Sequence, residues 1–133
     1  LHLSIRRQRQ MCIRDSTTGE GFIGWCACMN WDPDYRSAMI GYCLDDTAWG
    51  HGFATEAAGA MLQWAFNTLN LNRVQSGADT RNRASERVLE KLGFVREGTL
   101  REACIVHGVV SDDSVYGLLR REWELVQARL KAG

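Results

Sequence analysis

Residues 49–62 read WGHGFATEAAGAML, and the fold turns on them: Gly50 and Gly52 stand two positions apart and run without a break into a helical pattern. Glycines ahead of a helix leave backbone N–H groups unscreened. The first turn of a helix also carries unpaired donors at the positive end of its dipole, a place that suits an anion. The helix follows from Met61, Leu62, Ala65, Phe66 and Leu69, which are apolar at spacings of three and four with polar positions between them. A tight turn whose glycines only relieve strain is the competing reading of a lone Gly-x-Gly.

Upstream of this stretch, FIGWCACM (22–29) and SAMIGYCL (37–44) read as strands joined through NWDPDYR, an antiparallel pair. With no partner recognised before it, the first of these is expected to present an open strand edge. Downstream, RVQSGA (73–78) reads as a strand, and a helix runs from about Arg83 until Gly93, placed as its C′ residue. FVREGTLREACIV (94–106) and SDDSVYGLLR (111–120) form a hairpin about the His107-Gly108 turn, and EWELVQARLKAG (122–133) closes as a short helix or a frayed tail. There are no repeats, and the one proline is Pro33. The order is mixed α/β, with one parallel crossover from SAMIGYCL through the helix to RVQSGA.

A chain of 133 residues, 45% hydrophobic, holds one core. Sixteen basic and sixteen acidic residues cancel, so no general pull toward nucleic acid or an anionic membrane is expected, and a bound anion must be held locally. No apolar run approaches the ~20 residues of a membrane span, and the start lacks the apolar core of a signal peptide; a cytoplasmic protein is expected. The five cysteines, Cys12, Cys26, Cys28, Cys43 and Cys104, show no Cys-x-x-Cys, and His2, His51 and His107 are scattered. Reduced thiols and no metal site are expected, with Cys26 and Cys28 as small apolar residues on one strand face.

The opening LHLSIRRQRQMCIRDS carries four arginines in sixteen residues, has no clear period and does not begin with methionine. Its RRQRQMCIRDS portion resembles translated sequencing-adapter read-through. Residues 1–16 are therefore expected to be non-native or disordered, ahead of a domain over 17–133; a basic arm for RNA or lipid and a genuine first strand are the alternatives.

Two nucleotide loops fail on the residues. A nucleotide-hydrolase loop ends in Gly-Lys-Ser/Thr, and Gly52-Phe53-Ala54 has no lysine; the dinucleotide fingerprint wants glycine where Thr55 stands. What fits is a linked set: IGYCLDDTAWGHGFATEAAGAMLQWAF (40–66), NRASERVLEKLGFVREGTLRE (82–102) and DDSVYGLLRREW (112–123) resemble the GNAT acetyltransferases, in the branch of the ribosomal-protein N-terminal acetyltransferases. The resemblance runs from about Gly19 to Trp123. It implies a mixed, mostly antiparallel sheet with one parallel, splayed strand pair and flanking helices, and with N-terminal strands and helices missing.

In that family Gln/Arg-x-x-Gly-x-Gly/Ala binds the pyrophosphate of acetyl-CoA, and it falls here on Trp49, Gly50, His51, Gly52, Phe53 and Ala54. Trp49 departs from Gln/Arg, at little expected cost because the cradle is built of backbone amides; bulk at Gly50, Gly52, Ala54 or Thr55 would separate them from the phosphates. The resemblance further implies that backbone groups of Tyr42, Cys43 and Leu44 hold the pantetheine arm, where one amide polarises the thioester carbonyl. Asn82 would contact coenzyme A, and Ser85 would assist protonation of the departing thiolate; as plain helix residues they are an N-cap and a first-turn polar side chain. Many relatives carry glutamate where this chain has Cys104, so the general base is open among Glu102, on the same strand face two residues away, Asp112 across the hairpin, both through water, and Cys104 itself.

The sequence thus points to transfer of an acetyl group from acetyl-CoA to a primary amine, a protein N-terminus or a small molecule, by direct attack and with no metal. No nucleic acid or membrane partner is expected. A non-catalytic coenzyme A-binding or partner-binding remnant is the rival reading, favoured by the missing carboxylate at 104 and opposed by Asn82 and Ser85.

Overall fold

The parallel crossover lies within a seven-stranded sheet ordered β1-β2-β3-β4-β5-β7-β6. The computed structural model describes residues 2–5, 10–14, 22–44 and 52–132. The strands are β1 (His2–Ile5), β2 (Gln10–Arg14), β3 (Phe22–Asp32), β4 (Ser37–Leu44), β5 (Arg73–Asp79), β6 (Val95–Val106) and β7 (Val109–Leu119); the helices are α1 (Phe53–Thr68), α2 (Arg83–Lys91) and α3 (Arg120–Ala132). Among the described residues only β4 and β5 pair in parallel, which gives the mixed, mostly antiparallel sheet expected.

One expectation needs correction, the open edge of β3. Within residues 1–16, residues 2–5 and 10–14 form strands, and β1 pairs with β2 and β2 with β3. The reason is the free side of β3: its backbone N–H and C=O groups away from β4 require partners, and β2 supplies them. For the same reason β3 is not an open edge. The C-terminal residues form a docked helix rather than a frayed tail, because Trp123 stacks on Phe66 of α1 with ring centroids 4.8 Å apart. Arg120 reinforces the joint by donating to the carbonyls of Phe66 in α1 (2.6 Å) and of Leu71, three residues past its end (2.7 Å).

The core follows from alternation. Cys26 and Cys28 of β3, Ala38 and Ile40 of β4, Val74 of β5, and Tyr116 and Leu118 of β7 are buried together with Ala57, Ala58, Met61, Leu62, Ala65 and Phe66 of α1 and Leu89 of α2. Burial, and then the neighbouring Cys28, push the Cys26 thiol up to about 12, so it packs as a neutral apolar group. The β6–β7 turn has positive φ at both His107 (52°) and Gly108 (76°), as a two-residue hairpin favours. Among the described residues no helix is long and apolar enough to cross a membrane.

Helix α2 stops as the sequence implied. Gly93 takes φ +97°, its N–H reaches Glu90 O at 3.0 Å, and the Phe94 N–H reaches Leu89 O at 3.0 Å, the double bond of a Schellman ending. A Cβ on Gly93 would also stand 2.8 Å from Val126 Cγ2 of α3. Gly93→Ala is expected to lower unfolding stability in urea by more than about 1 kcal/mol. Gly98→Ala, where a Cβ meets open space, should change it by under about 0.5 kcal/mol.

Candidate functional site

The site begins where a ladder stops. β4 and β5 pair only through Ser37↔Arg73, Ala38↔Val74 and Met39↔Gln75, although they continue to Leu44 and Asp79. Beyond that point each strand follows its antiparallel neighbour: β4 stays paired with β3 as far as Gly24↔Leu44, and β5 with β7 as far as Asp79↔Asp113. Ser76 Oγ bridges the start of the gap by donating to Ile40 O at 3.0 Å. The splay implied by the resemblance is therefore present, and it opens a slot between two strands whose far sides are already satisfied.

Two helix N-termini border the slot. Gly52 is the N-cap of α1, with φ 75° and no side-chain cap, and its carbonyl accepts the Glu56 N–H at 3.0 Å. A left-handed start is open to glycine at little strain, and it leaves the first turn of α1 without a competing side chain. At the other helix Asn82 caps α2, its side-chain oxygen accepting the Ser85 N–H at 3.1 Å. Between them lies a cleft of about 900 Å³, lined among others by Tyr42, Cys43, Gly52, Phe53, Ala54, Thr55, Asn82 and Ser85. These sequence-distant residues are those expected to meet around one ligand. Leu44 ends β4 at the same place, whereas Trp49, Gly50 and His51 lie outside the described residues.

The Tyr42 side chain adds what its expected backbone role did not include. Its hydroxyl lies 2.9 Å from Ser85 Oγ and 3.2 Å from Ser85 O. Burial raises the phenol above its ordinary value, against a smaller opposite effect of Ser85, so it remains a neutral donor. Arg87 and Lys91, one turn apart on α2, also line the cleft and bring cations to it. Their basic pairing four residues apart, following Asn82 and Ser85, was visible in the sequence but was not connected to the site.

The candidate bases fare differently. Neither Glu102 nor Cys104 lines the cleft. The expected two-residue alternation between them fails, because the register of β6 shifts between Leu100 and Cys104 and Glu102 takes φ 52°. Glu102 donates its N–H to the Asp112 carboxylate at 2.8 Å, and the two residues border a separate hollow with Thr99 and Leu100. The Cys104 thiol donates to the carbonyls of Ser111 (3.4 Å) and Asp112 (3.6 Å). Burial, then the carboxylates of Asp79 and Asp113, raise its pKa, which disfavours a thiolate.

Chemically, the arrangement offers unpaired amides suited to an anion at the start of α1, a gap between β4 and β5 wide enough in register for an extended chain, and a hydroxyl pair between Tyr42 and Ser85. Asn82 serves as a cap whatever else it touches. Asn82→Ala should cost about 1 kcal/mol in unfolding experiments, and Asn82→Asp, which keeps the accepting oxygen, should retain most of that stability.

Comparison with known proteins agrees with this architecture. A family model described as "Acetyltransferase (GNAT) domain" matches residues 3–95. The "Uncharacterized N-acetyltransferase p20" of Bacillus licheniformis is 37% identical over 101 residues, covering 76% of this chain and 57% of that protein. The "Putative ribosomal N-acetyltransferase YdaF" of Bacillus subtilis (strain 168) is 39% identical over 101 residues, covering 76% and 55%. A solved structure of a putative acetyltransferase from T. thermophilus is 36% identical with a TM-score of 0.79, covering 92% of this chain and 64% of that one. The spermidine N-acetyltransferase SpeG F149A mutant from Vibrio cholerae, 24% identical, shares the fold with a TM-score of 0.77 over 86% of this chain and 66% of its own. The chain spans a little over half the length of the two Bacillus relatives. With the splayed parallel pair, the bare start of α1 and the matching family model together, the chain belongs to the GNAT acetyltransferase domain family.

Proposed function

We propose that the chain transfers an acetyl group from acetyl-CoA to a primary amine, a protein N-terminus or a small molecule, by direct attack with both substrates bound. The observation that carries this reading is the three-rung parallel pair opening beside the uncapped start of α1. Acetyl-CoA supplies the acetyl group as a thioester. The backbone amides of Gly50, Gly52, Ala54 and Thr55, in the stretch that also includes Trp49, His51 and Phe53, hold its pyrophosphate, with Arg87 and Lys91 adding positive charge nearby. Backbone groups of Tyr42, Cys43 and Leu44 line the arm and orient the carbonyl; Asn82 flanks the same path.

Ser85 is the residue placed for the leaving sulfur. The Tyr42 phenol and Ser85 Oγ lie 2.9 Å apart in a pair that either hydroxyl can donate; in the arrangement where the phenol donates, the serine keeps its own proton for the developing thiolate. Acceptors named for similar proteins are amines in both directions: one relative carries a ribosomal name, and a fold neighbour carries spermidine's. The coenzyme A-binding reading retains one observation in its favour, the thiol of Cys104 where the family often places glutamate, and the experiment below separates the two.

Saturating acetyl-CoA, at about a hundred times its Kd, should raise stability by about 2.7 kcal/mol, and Gly52→Val should abolish the thermal shift. Ser85→Ala should lower kcat about tenfold or more while leaving acetyl-CoA affinity nearly unchanged. A change confined to affinity makes Ser85 a binding residue only. Binding with no transfer to any α-amine or polyamine leaves the coenzyme A-binding reading in place of the transferase.

A further inference from the structure

We infer that the carboxylate of Asp113, on β7, receives the proton shed by the acceptor amine. The inference rests on the transferase reading above; Asp113, like Glu102 and Cys104, is not among the residues lining the cleft, but unlike them it lies over Gly77 at the open end of the slot. Val74, Ser76 and Ala78 of β5 and Ser114, Tyr116 and Leu118 of β7 are buried toward the core. By alternation Gly77, Asp79 and Asp113 lie on the opposite face, where Asp113 pairs directly with Asp79. Gly77 is exposed and stands two residues past Gln75, the last partner of β4, so it borders the open end of the slot.

Gly77 is bare for a reason. A Cβ there would stand 3.2 and 3.3 Å from the two carboxylate oxygens of Asp113 and 3.0 Å from Ser114 O. Without it, the carboxylate lies across β5 beside the slot. On β4 Gly41 is bare as well, with a would-be Cβ only 3.0 Å from Met29 Cε. An amine approaching a carbonyl held between these strands from this face meets Asp113 directly or through one water.

The two aspartates are not equivalent. Asp79 accepts from Ser111 Oγ at 2.6 Å, from Arg81 N at 3.0 Å, from Arg81 Nε at 3.2 Å and from Arg81 Nη2 at 2.9 Å. Those bonds, the Arg81 guanidinium first, hold its carboxyl well below the usual range and keep it an anion. The backbone of Asp113 belongs to the β5–β7 and β6–β7 ladders, and its carboxylate accepts no hydrogen bond from the described residues. Burial, then the Asp79 charge, raise its carboxyl above the ordinary value and strengthen it as a base. The titratable groups around it are Asp79 with its bound Arg81 on the β5 side and the Cys104 thiol on the β6 side.

In the step, the nitrogen lone pair forms the N–C bond and the C–S electron pair departs on sulfur. The proton lost by nitrogen passes to the Asp113 carboxylate and from there to solvent.

The test uses the full chain. For an α-amine acceptor, Asp113→Asn should lower kcat/KM about a hundredfold at pH 7 with acetyl-CoA affinity intact. The deficit should narrow as pH rises past about 8, where the amine is already neutral. A second readout needs no turnover: NMR titration of the aspartate carboxyl carbons should find Asp113 above the ordinary value of about 3.9 in the parent and lower in Asp79→Asn, whose activity profile should shift its acid limb the same way. Equal rates in parent and Asp113→Asn across this range, or an ordinary Asp113 titration in the folded parent, overturn the assignment while leaving an active parent a transferase. A parent that binds acetyl-CoA and acetylates no amine overturns both.

Discussion

The parallel ladder between β4 and β5 ends after three pairs, and the rest of the site depends on that limit. Neither strand is left loose by it. Each is held along its length by an antiparallel partner, so the gap between them costs only the hydrogen bonds of one side over a few residues, and Ser76 Oγ recovers one of these at Ile40 O. A ladder zipped to the strand ends would close the only path by which an extended chain could lie between the strands and meet both helix starts.

Holding the two sides of the slot in place requires polar groups inside the core. Glu86, 3% exposed, accepts from Ser114 Oγ at 2.8 Å and Tyr116 Oη at 3.5 Å, with Arg83 at 3.5 Å and Arg96 at 4.0 Å. A buried carboxylate is tolerable only with such partners. Their geometry ties the first turn of α2 to β7, which directs the adjacent Ser85 toward Tyr42 rather than into the core. Arg120 does the corresponding work at the far end of α1, joining that helix and the segment after it to α3 through the carbonyls of Phe66 and Leu71. The two sides of the sheet then divide the chemistry: the helix side offers amides and hydroxyls, and the opposite face offers carboxylates beside bare glycines.

Local patterns were legible where one residue decides a backbone conformation. Gly93 ends α2, Gly108 turns the hairpin and Gly52 opens α1, because each takes a positive φ that few other residues adopt without strain. The strand SAMIGYCL matches β4 end to end, and the helix periods are those of α1 and α2. The pairing of residues 10–14 with β3 was not legible, because pairing of backbone groups does not depend on the side-chain periodicity by which strands are recognised. The alternation expected between Glu102 and Cys104 failed for a related reason: a register shift is a property of two strands together and leaves little trace in either one.

By itself, then, the sequence determined the order of elements from β3 onward, the parallel crossover, the glycine positions and the family motifs, since all of these are set by local sterics and by spacing along the chain. Only the tertiary structure decided that Tyr42 meets Ser85, that Glu86 is buried with Ser114 and Tyr116, and that Asp113 lies over Gly77 opposite Asp79. Those contacts join residues 28 to 43 positions apart, or pair strands in one particular register, and a side chain's partner across such distances is fixed by how twisted strands and packed helices come together.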